Sequence, residues 1–291
     1  MSGSRGSAAR VGVLSALIVA CAGGAAGQDV AREEAVHARN DLAASASSRF
    51  ILRGGLLFTG HRTVARVDAE AGSPGTTVDV ENELGLDEST RDVRLDAALR
   101  IGRRHQLQVG YVSLSRRGRT TLVERIRWGG TVFEVDVDVE SEIDVTLIPI
   151  AWRYAIALDE RLDVGLSAGV FAVFADAGVS APVAGVVERG STDFPLPVVG
   201  VDGILALGRG LFLTGGARYF ALEIDDVEGT WREFRSAVEF FPLKSLGVGL
   251  GYRYIGLEAD GTEGIHTRPE GTLLFLDYEF SGPHVYLTLS L

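Results

Sequence analysis

Several common architectures are excluded by what the chain has little of. Cysteine occurs once in 291 residues, at Cys21, so no intramolecular disulfide can form. Lysine occurs once, at Lys244, and all other basic side chains are arginine. A net charge of −11 argues against nucleic acid as a partner, because binding to a phosphate backbone depends on a cationic surface. Beyond the N-terminus there is no run of about 18 apolar residues, which rules out a spanning helix.

Glycine, by contrast, is plentiful at 37 residues, and 46% of the chain is apolar. Arg5 and Arg10 precede an apolar stretch, Val11 to Ala22, and then the small residues Gly23 to Gly27. This is the pattern of a secretory signal over residues 1–27, with Ala25 and Gly27 in the two small-residue pockets of the cleavage site. Cleavage would remove two arginines and no acid, making the charge −13. Ile18-Val19-Ala20-Cys21 also resembles the lipobox of bacterial lipoproteins, so Cys21 is either lost with the signal or lipidated. Residues 28–48 are polar with some helical character and read as a short periplasmic tail.

From residue 49 to 291 the dominant period is two. One hairpin can be read pair by pair. Gly129-Gly130 is a favoured two-residue turn, since glycine permits φ > 0 at both positions. Trp128 then faces Thr131, Arg125 faces Glu134, Arg119 faces Glu140 and Arg117 faces Glu142. Further down the same face Tyr111 meets Ile148, Val109 meets Ile150 and Leu107 meets Trp152. That face is charged near the turn and apolar near the base, as expected of a strand that leaves a membrane partway along.

Strands are expected at about 49–60, 91–102, 105–128, 131–158, 161–176, 194–207, 210–225, 230–242, 245–259 and 270–291. Alternate connections are short (Gly102–His105, Asp159–Arg161, Gly208–Gly210, Pro242–Ser245), and the others are long (61–90, 177–193, 259–269). This is the asymmetry of bacterial barrels, whose short turns are periplasmic. The expectation is an all-β fold: a transmembrane up-and-down antiparallel β-barrel of about ten strands with tall extracellular strands, both termini periplasmic, in the bacterial outer membrane. In the last segment Leu274, Leu276, Tyr278 and Phe280 share one parity, and Val285, Leu287, Leu289 and Leu291 the other. A bulge at Gly282-Pro283 would reconcile them; a turn there would lead towards twelve strands.

Parity also assigns the lumen. The inward ionised positions are Arg53, Arg94, Asp96, Arg100, Arg153, Asp163, Asp202, Arg218, Arg235, Glu239 and Arg253. Buried charges must be paired or solvated, so this belt should plug the barrel; its surplus of arginine would otherwise suit a narrow anion pore. Trp152, Tyr154, Tyr219, Tyr252 and Tyr254 are candidates for interfacial girdles. Nearer the long loops the inward residues become apolar: Val112, Leu114, Ile143, Val145, Leu147, Phe171, Phe220, Leu222 and Ile255, with Leu57, Val135 and Ile224 among others of that parity. Such a chamber either holds a small apolar ligand or is filled by loop one, where Val78, Val80, Leu84 and Leu86 sit among acids.

The stretch Gly75-Thr76-Thr77-Val78-Asp79-Val80-Glu81-Asn82-Glu83-Leu84-Gly85-Leu86-Asp87 resembles the first-loop segment of a group of poorly characterised proteobacterial outer-membrane β-barrel proteins. Arg104-His105-Gln106-Leu107, Pro195-Leu196-Pro197 and Gly282-Pro283 are similar too. The resemblance implies the barrel and its location, and carries no substrate or catalytic residue.

Catalytic constellations are lacking. The histidines are His37 in the tail, His61 at the mouth of strand one, His105 in a periplasmic turn, His266 in a long loop near Glu263 and Glu270, and His284. None stands in a nucleophile–base pattern or a zinc-like cluster, so a structural or surface-interaction role is expected, with transport as the first alternative and a hydrolase at the rim, using His61 or His266, as the second; no cofactor or metal is expected. Acid pairs such as Asp225-Asp226 lack defined ligand spacing. The expected partners are outer-membrane lipid, lipopolysaccharide and the barrel-assembly machinery, with a small anion or apolar solute as the alternative.

Overall fold

The computed structural model describes residues 48–67, 75–128, 131–183, 185–224, 227–261 and 274–291. The signal, the tail up to residue 47, Gly129-Gly130, Asp225-Asp226, His37 and His266 lie outside the described residues. In chain order the strands are β1 (Phe50–Val67), β2 (Val78–Asp79), β3 (Ser89–Ile101), β4 (His105–Thr121), β5 (Ile126–Trp128), β6 (Thr131–Phe133) and β7 (Asp138–Leu158). They continue with β8 (Leu162–Ala181), β9 (Val186–Gly208), β10 (Leu211–Ile224), β11 (Val227–Phe240), β12 (Leu246–Gly261) and β13 (Leu274–Ser290). One helical turn, α1 (Val80–Leu84), follows β2.

Ten strands form the wall in the order β1, β3, β4, β7 to β13, and β13 pairs back onto β1 to close it. Phe50 and Leu291 exchange backbone hydrogen bonds at the seam, at 3.0 and 2.8 Å. Closure removes the unpaired edges that an open sheet would expose. Every wall pairing is antiparallel between neighbours.

The β4–β7 ladder has the register expected from the Gly-Gly turn: Leu107 opposite Trp152, Val109 opposite Ile150, Arg117 opposite Glu142 and Arg119 opposite Glu140. The same offset continues in β5 and β6, where Trp128 faces Thr131. Between them the ladder breaks at Asp136, whose φ is 62°. That kink takes Val135 out of the alternation, and the side chain is exposed rather than inward.

Three further expectations need correction. The connection 177–193 is not a long loop, because β8 runs to Ala181 and β9 starts at Val186. Its small and polar residues carry little alternation, since both faces of the wall there lie beyond the apolar belt. The connection 61–90 is also shorter than expected, because β1 runs to Val67 and β3 starts at Ser89; within it Asp79 accepts from the N–H of Asn82 to cap α1, and Gly85 ends it at φ 67°. Finally, Gly282-Pro283 is no bulge. β13 keeps one register along β12 throughout, and the same offset to β1 on either side of Gly282-Pro283. Even-numbered residues from Tyr278 to Ser290 stay inward; it is the surroundings that exchange, not the faces.

Outside, the half bearing the tight turns is an apolar belt. Leu52, Leu56, Val93, Leu95, Ile150, Leu166, Val201, Leu213, Val248, Leu250 and Leu287 are all exposed on it, with Trp152, Tyr154, Tyr219 and Tyr252 among them. Past it the outward residues are ionised, as in the exposed pairs Arg117–Glu142 at 2.8 Å and Arg232–Glu258 at 3.2 Å. β7, with 21 residues, extends on the order of 70 Å along its own axis at about 3.3 Å per residue, well beyond an apolar band of about 25 Å.

Candidate functional site: the lumen

The inside of the wall has three layers, beginning at the tight-turn end with the ionised belt. Arg153 donates to Asp163 at 2.7 Å, and Arg100 lies 3.6 Å from the same carboxylate. Because β3 and β8 are separated in the wall by β4 and β7, the Arg100 contact crosses the lumen. Arg53 of β1 reaches Glu239 of β11 at 3.2 Å, and Tyr286 donates to Glu239 at 2.8 Å. Arg235 pairs with Asp202, and Arg94 with Asp96 at 2.6 Å. Arg218 donates to Gln108 across the barrel at 3.1 Å.

All eleven positions assigned to the belt thus meet another lumenal group, and the acid that Arg218 and Arg253 share is Glu233, which is not among the eleven. Glu233 lies 3.3 Å from Arg218 and 2.6 Å from Arg253. The parity that turns Arg235 and Glu239 inward turns Glu233 inward as well. Inward glycines make room for the belt: a Cβ on Gly165 would strike the Arg153 guanidinium, and one on Gly249 the ring of Tyr286. A cavity of about 130 Å³ remains, lined by Arg53, Arg94, Asp96, Arg153, Asp202 and His284 together with apolar residues such as Ile51, Val109 and Pro149.

The second layer is apolar. Val112, Leu114, Leu147, Phe171 and Ile255 are buried in one cluster with Leu57, Val173, Leu196, Val198, Trp231, Leu257, Tyr278 and Phe280. Val145 and Phe220 pack against it. Ile143 packs instead against the next cluster. The side chains of Leu222 and Ile224 lie outside the described residues.

Loop one forms the third layer. Val78, Val80, Leu84 and Leu86 are buried with Leu122, Ile126, Phe133 and Val139 from the bent β4–β7 tip. Gly118 lets loop one come this close, because a Cβ there would overlap the carbonyl of Gly85. Glu81 is the polar anchor. It pairs with Arg116, which is 1% exposed, and accepts from the N–H and Oγ1 of Thr63 at 2.7 Å each. Arg116 shares the inward parity of Val112 and Leu114, but its partner lies 35 residues away in a loop, where no period points to it.

A buried polar cluster joins the two upper layers. His61 Nε2 is 2.8 Å from Thr90 Oγ1 and 3.0 Å from Thr59 Oγ1, and Nδ1 is 3.1 Å from the Tyr278 hydroxyl. Thr59 and Thr90 donate to Asp92 at 2.7 and 2.5 Å. Burial, with Arg116 nearby, lowers the His61 pKa from 6.5 to about 3. Neutral His61 therefore sits among hydroxyls rather than against a carboxylate. At the opposite end, exposed His105 accepts from the Trp152 indole at 3.2 Å. Among the described residues no group of three His, Cys, Asp or Glu side chains could hold a metal ion.

No protein-family model and no curated protein matches the chain. Among solved structures, the chain is similar to the crystal structure of the outer membrane protease OmpT from Escherichia coli. Identity is 8%, coverage is 83% of this chain and 97% of that one, and the TM-score is 0.53. It also aligns with the transport unit of the autotransporter AIDA-I from Escherichia coli at 8% identity, covering 86% and 98%, with a TM-score of 0.39. The likeness to OmpT is one of fold: a closed ten-stranded antiparallel β-barrel of the kind built by bacterial outer-membrane proteins.

Proposed function

We propose that this protein is a non-enzymatic barrel of the bacterial outer membrane, closed to ions and water, with a structural or surface-interaction role. The observation that carries the reading is the double closure of the lumen. Cross-lumen ion pairs bridge one half around the cavity of about 130 Å³, and loop one, locked by Glu81–Arg116, fills the other. An anion pore along the arginines would need a water column through the apolar layer, where Leu114, Phe171, Trp231 and Ile255 are buried.

The apolar belt supports the location, since a charge facing lipid at mid-bilayer costs roughly 2–4 kcal/mol, and the strand arginines at belt height, such as Arg53, Arg94, Arg153 and Arg253, point inward while the exposed ones sit at the tight turns. In this reading the tight turns and both termini are periplasmic, and export uses the signal at 1–27. Lipid and lipopolysaccharide surround the wall, and the barrel-assembly machinery inserts it. OmpT is a protease, but 8% identity extends only its barrel to this chain. His61 has both ring nitrogens engaged by hydroxyls and lies beneath loop one, a poor setting for a general base.

Swelling of liposomes carrying the folded protein tests the reading. Small sugars, chloride and acetate should all enter no faster than into protein-free liposomes. Rapid entry of any of them would overturn the closed lumen.

A further inference from the structure

The wall parts between β9 and β10. Their ladder runs from Leu211–Gly208 to Tyr219–Val199 and stops, although β9 begins at Val186 and β10 continues to Ile224. The outer neighbours do not part: β8 pairs with β9 up to Ala181–Val186, and β10 with β11 up to Ile224–Val227. Pro195 and Pro197 stand where the ladder fails, and neither has an N–H to give it. They also suit the exposed edge poorly to accepting a strand from another chain.

A shorter parting between β3 and β4, beyond Val93–Ser113, serves as a contrast. It is lined by Thr90, Asp92 and Arg116, and loop one closes it with its own backbone. Leu86 bridges to Gly118, and the Asp87 N–H donates to the Arg117 carbonyl at 3.2 Å. The β9–β10 parting has no such backbone closure among the described residues. Its outer rim, Pro197, Val199 and Tyr219, is exposed at the edge of the apolar belt.

Behind it lies the apolar layer. Leu196 and Val198 of β9 belong to that core, and Phe220 of β10 packs against it. Trp231 of β11 meets Phe171 of β8 edge-on at 5.1 Å, so one aromatic pair spans the parting from inside. The Trp231 side chain is 2% exposed, yet among the described residues its indole N–H has no acceptor. A buried indole N–H usually finds one.

We infer that the β9–β10 parting is a lateral port through which an acyl chain from the surrounding bilayer reaches the apolar layer, its ester or carboxyl oxygen accepting from Trp231. Trp231 and Phe171 form the inner leaf of the port. Such a route needs no aqueous channel, so it is compatible with a lumen closed to ions and independent of that closure.

Fluorescence quenching by brominated acyl chains tests the port. The chain has three tryptophans. The double variant W128F/W152F leaves Trp231 as the only emitter, and W128F/W231F leaves lipid-facing Trp152 as the positive control. Each is folded into vesicles of brominated phosphatidylcholine, and separately into plain vesicles given a brominated fatty acid. A port half-occupied by acyl chain gives roughly a twofold loss of Trp231 emission. Loss with the phospholipid assigns the source to the bilayer; loss with the free acid alone keeps the port and assigns the source to free fatty acid. Trp231 emission unchanged by either, while Trp152 is quenched, would overturn the inference. In Pro195→Thr/Pro197→Thr, which restores two N–H groups, the Trp231 loss should fall towards zero; an undiminished loss would show that the chain does not enter here.

Discussion

Arg232 and Glu233 are neighbours on β11, and the two halves of the molecule can be compared through them. Arg232 points outward and meets Glu258 at 3.2 Å, with both side chains about half exposed. Glu233 points inward, is 3% exposed, and takes Arg218 and Arg253 together. Towards the tight turns the wall has leucine outside and arginine inside. Towards the loops it has arginine and acids outside, and leucine and phenylalanine inside. The alternation never slips between these halves; only the outer medium changes. Which face of a strand is apolar therefore records what surrounds the barrel at that height, and parity alone does not tell inside from outside.

The comparison breaks most sharply at Glu233. Glu233→Gln leaves Arg218 and Arg253 buried without their acid, and removing one member of a buried pair costs roughly 3–5 kcal/mol. The urea midpoint of folded protein in vesicles should fall accordingly; an unchanged midpoint would mean that the lumen solvates its arginines freely. Next comes the outer belt. Leu250 is 64% exposed, and Leu250→Arg should cost roughly 2–4 kcal/mol in the same titration if that face meets lipid. The same change would be nearly neutral on a face bathed in water.

A pH titration sharpens the boundary between the layers. Folded His61 titrates at about 3 and the unfolded residue near 6.5. Between those values only the unfolded chain takes up the proton, so stability is full above about pH 6.5 and is progressively lost as pH falls towards 3. His61→Gln should flatten that part of the stability-against-pH curve, and a slope identical to the parent's would place the titration elsewhere. The smallest effect belongs to the exposed pair: Arg232→Ala should shift stability by less than about 1 kcal/mol and matter less still at high salt. A loss comparable to that of Glu233→Gln would erase the contrast between the two neighbours.

Much of the barrel was legible because its signals are periodic and local. The Gly-Gly turn and the Arg–Glu pairs carried the β4–β7 register, and parity placed the ionised belt. Parity failed as a guide where it was taken to mark structure rather than surroundings. The switch at Gly282-Pro283 looked like a bulge, although β13 continues undisturbed across it. The extensions of β8 and β9 were hidden by small and polar residues with weak alternation. Contacts without a period stayed out of reach: Glu81 finds Arg116 across 35 residues, and although Pro195 and Pro197 mark the β9–β10 parting, nothing in the sequence shows which neighbouring ladder they interrupt.

Conductance of the folded protein in a planar lipid bilayer tests the closure of the lumen most directly. A belt of paired charges beneath a packed apolar layer predicts a silent membrane, in low salt and high. Reproducible steps with anion preference, abolished by Arg153→Ala, would contradict it and make the arginines the lining of a pore.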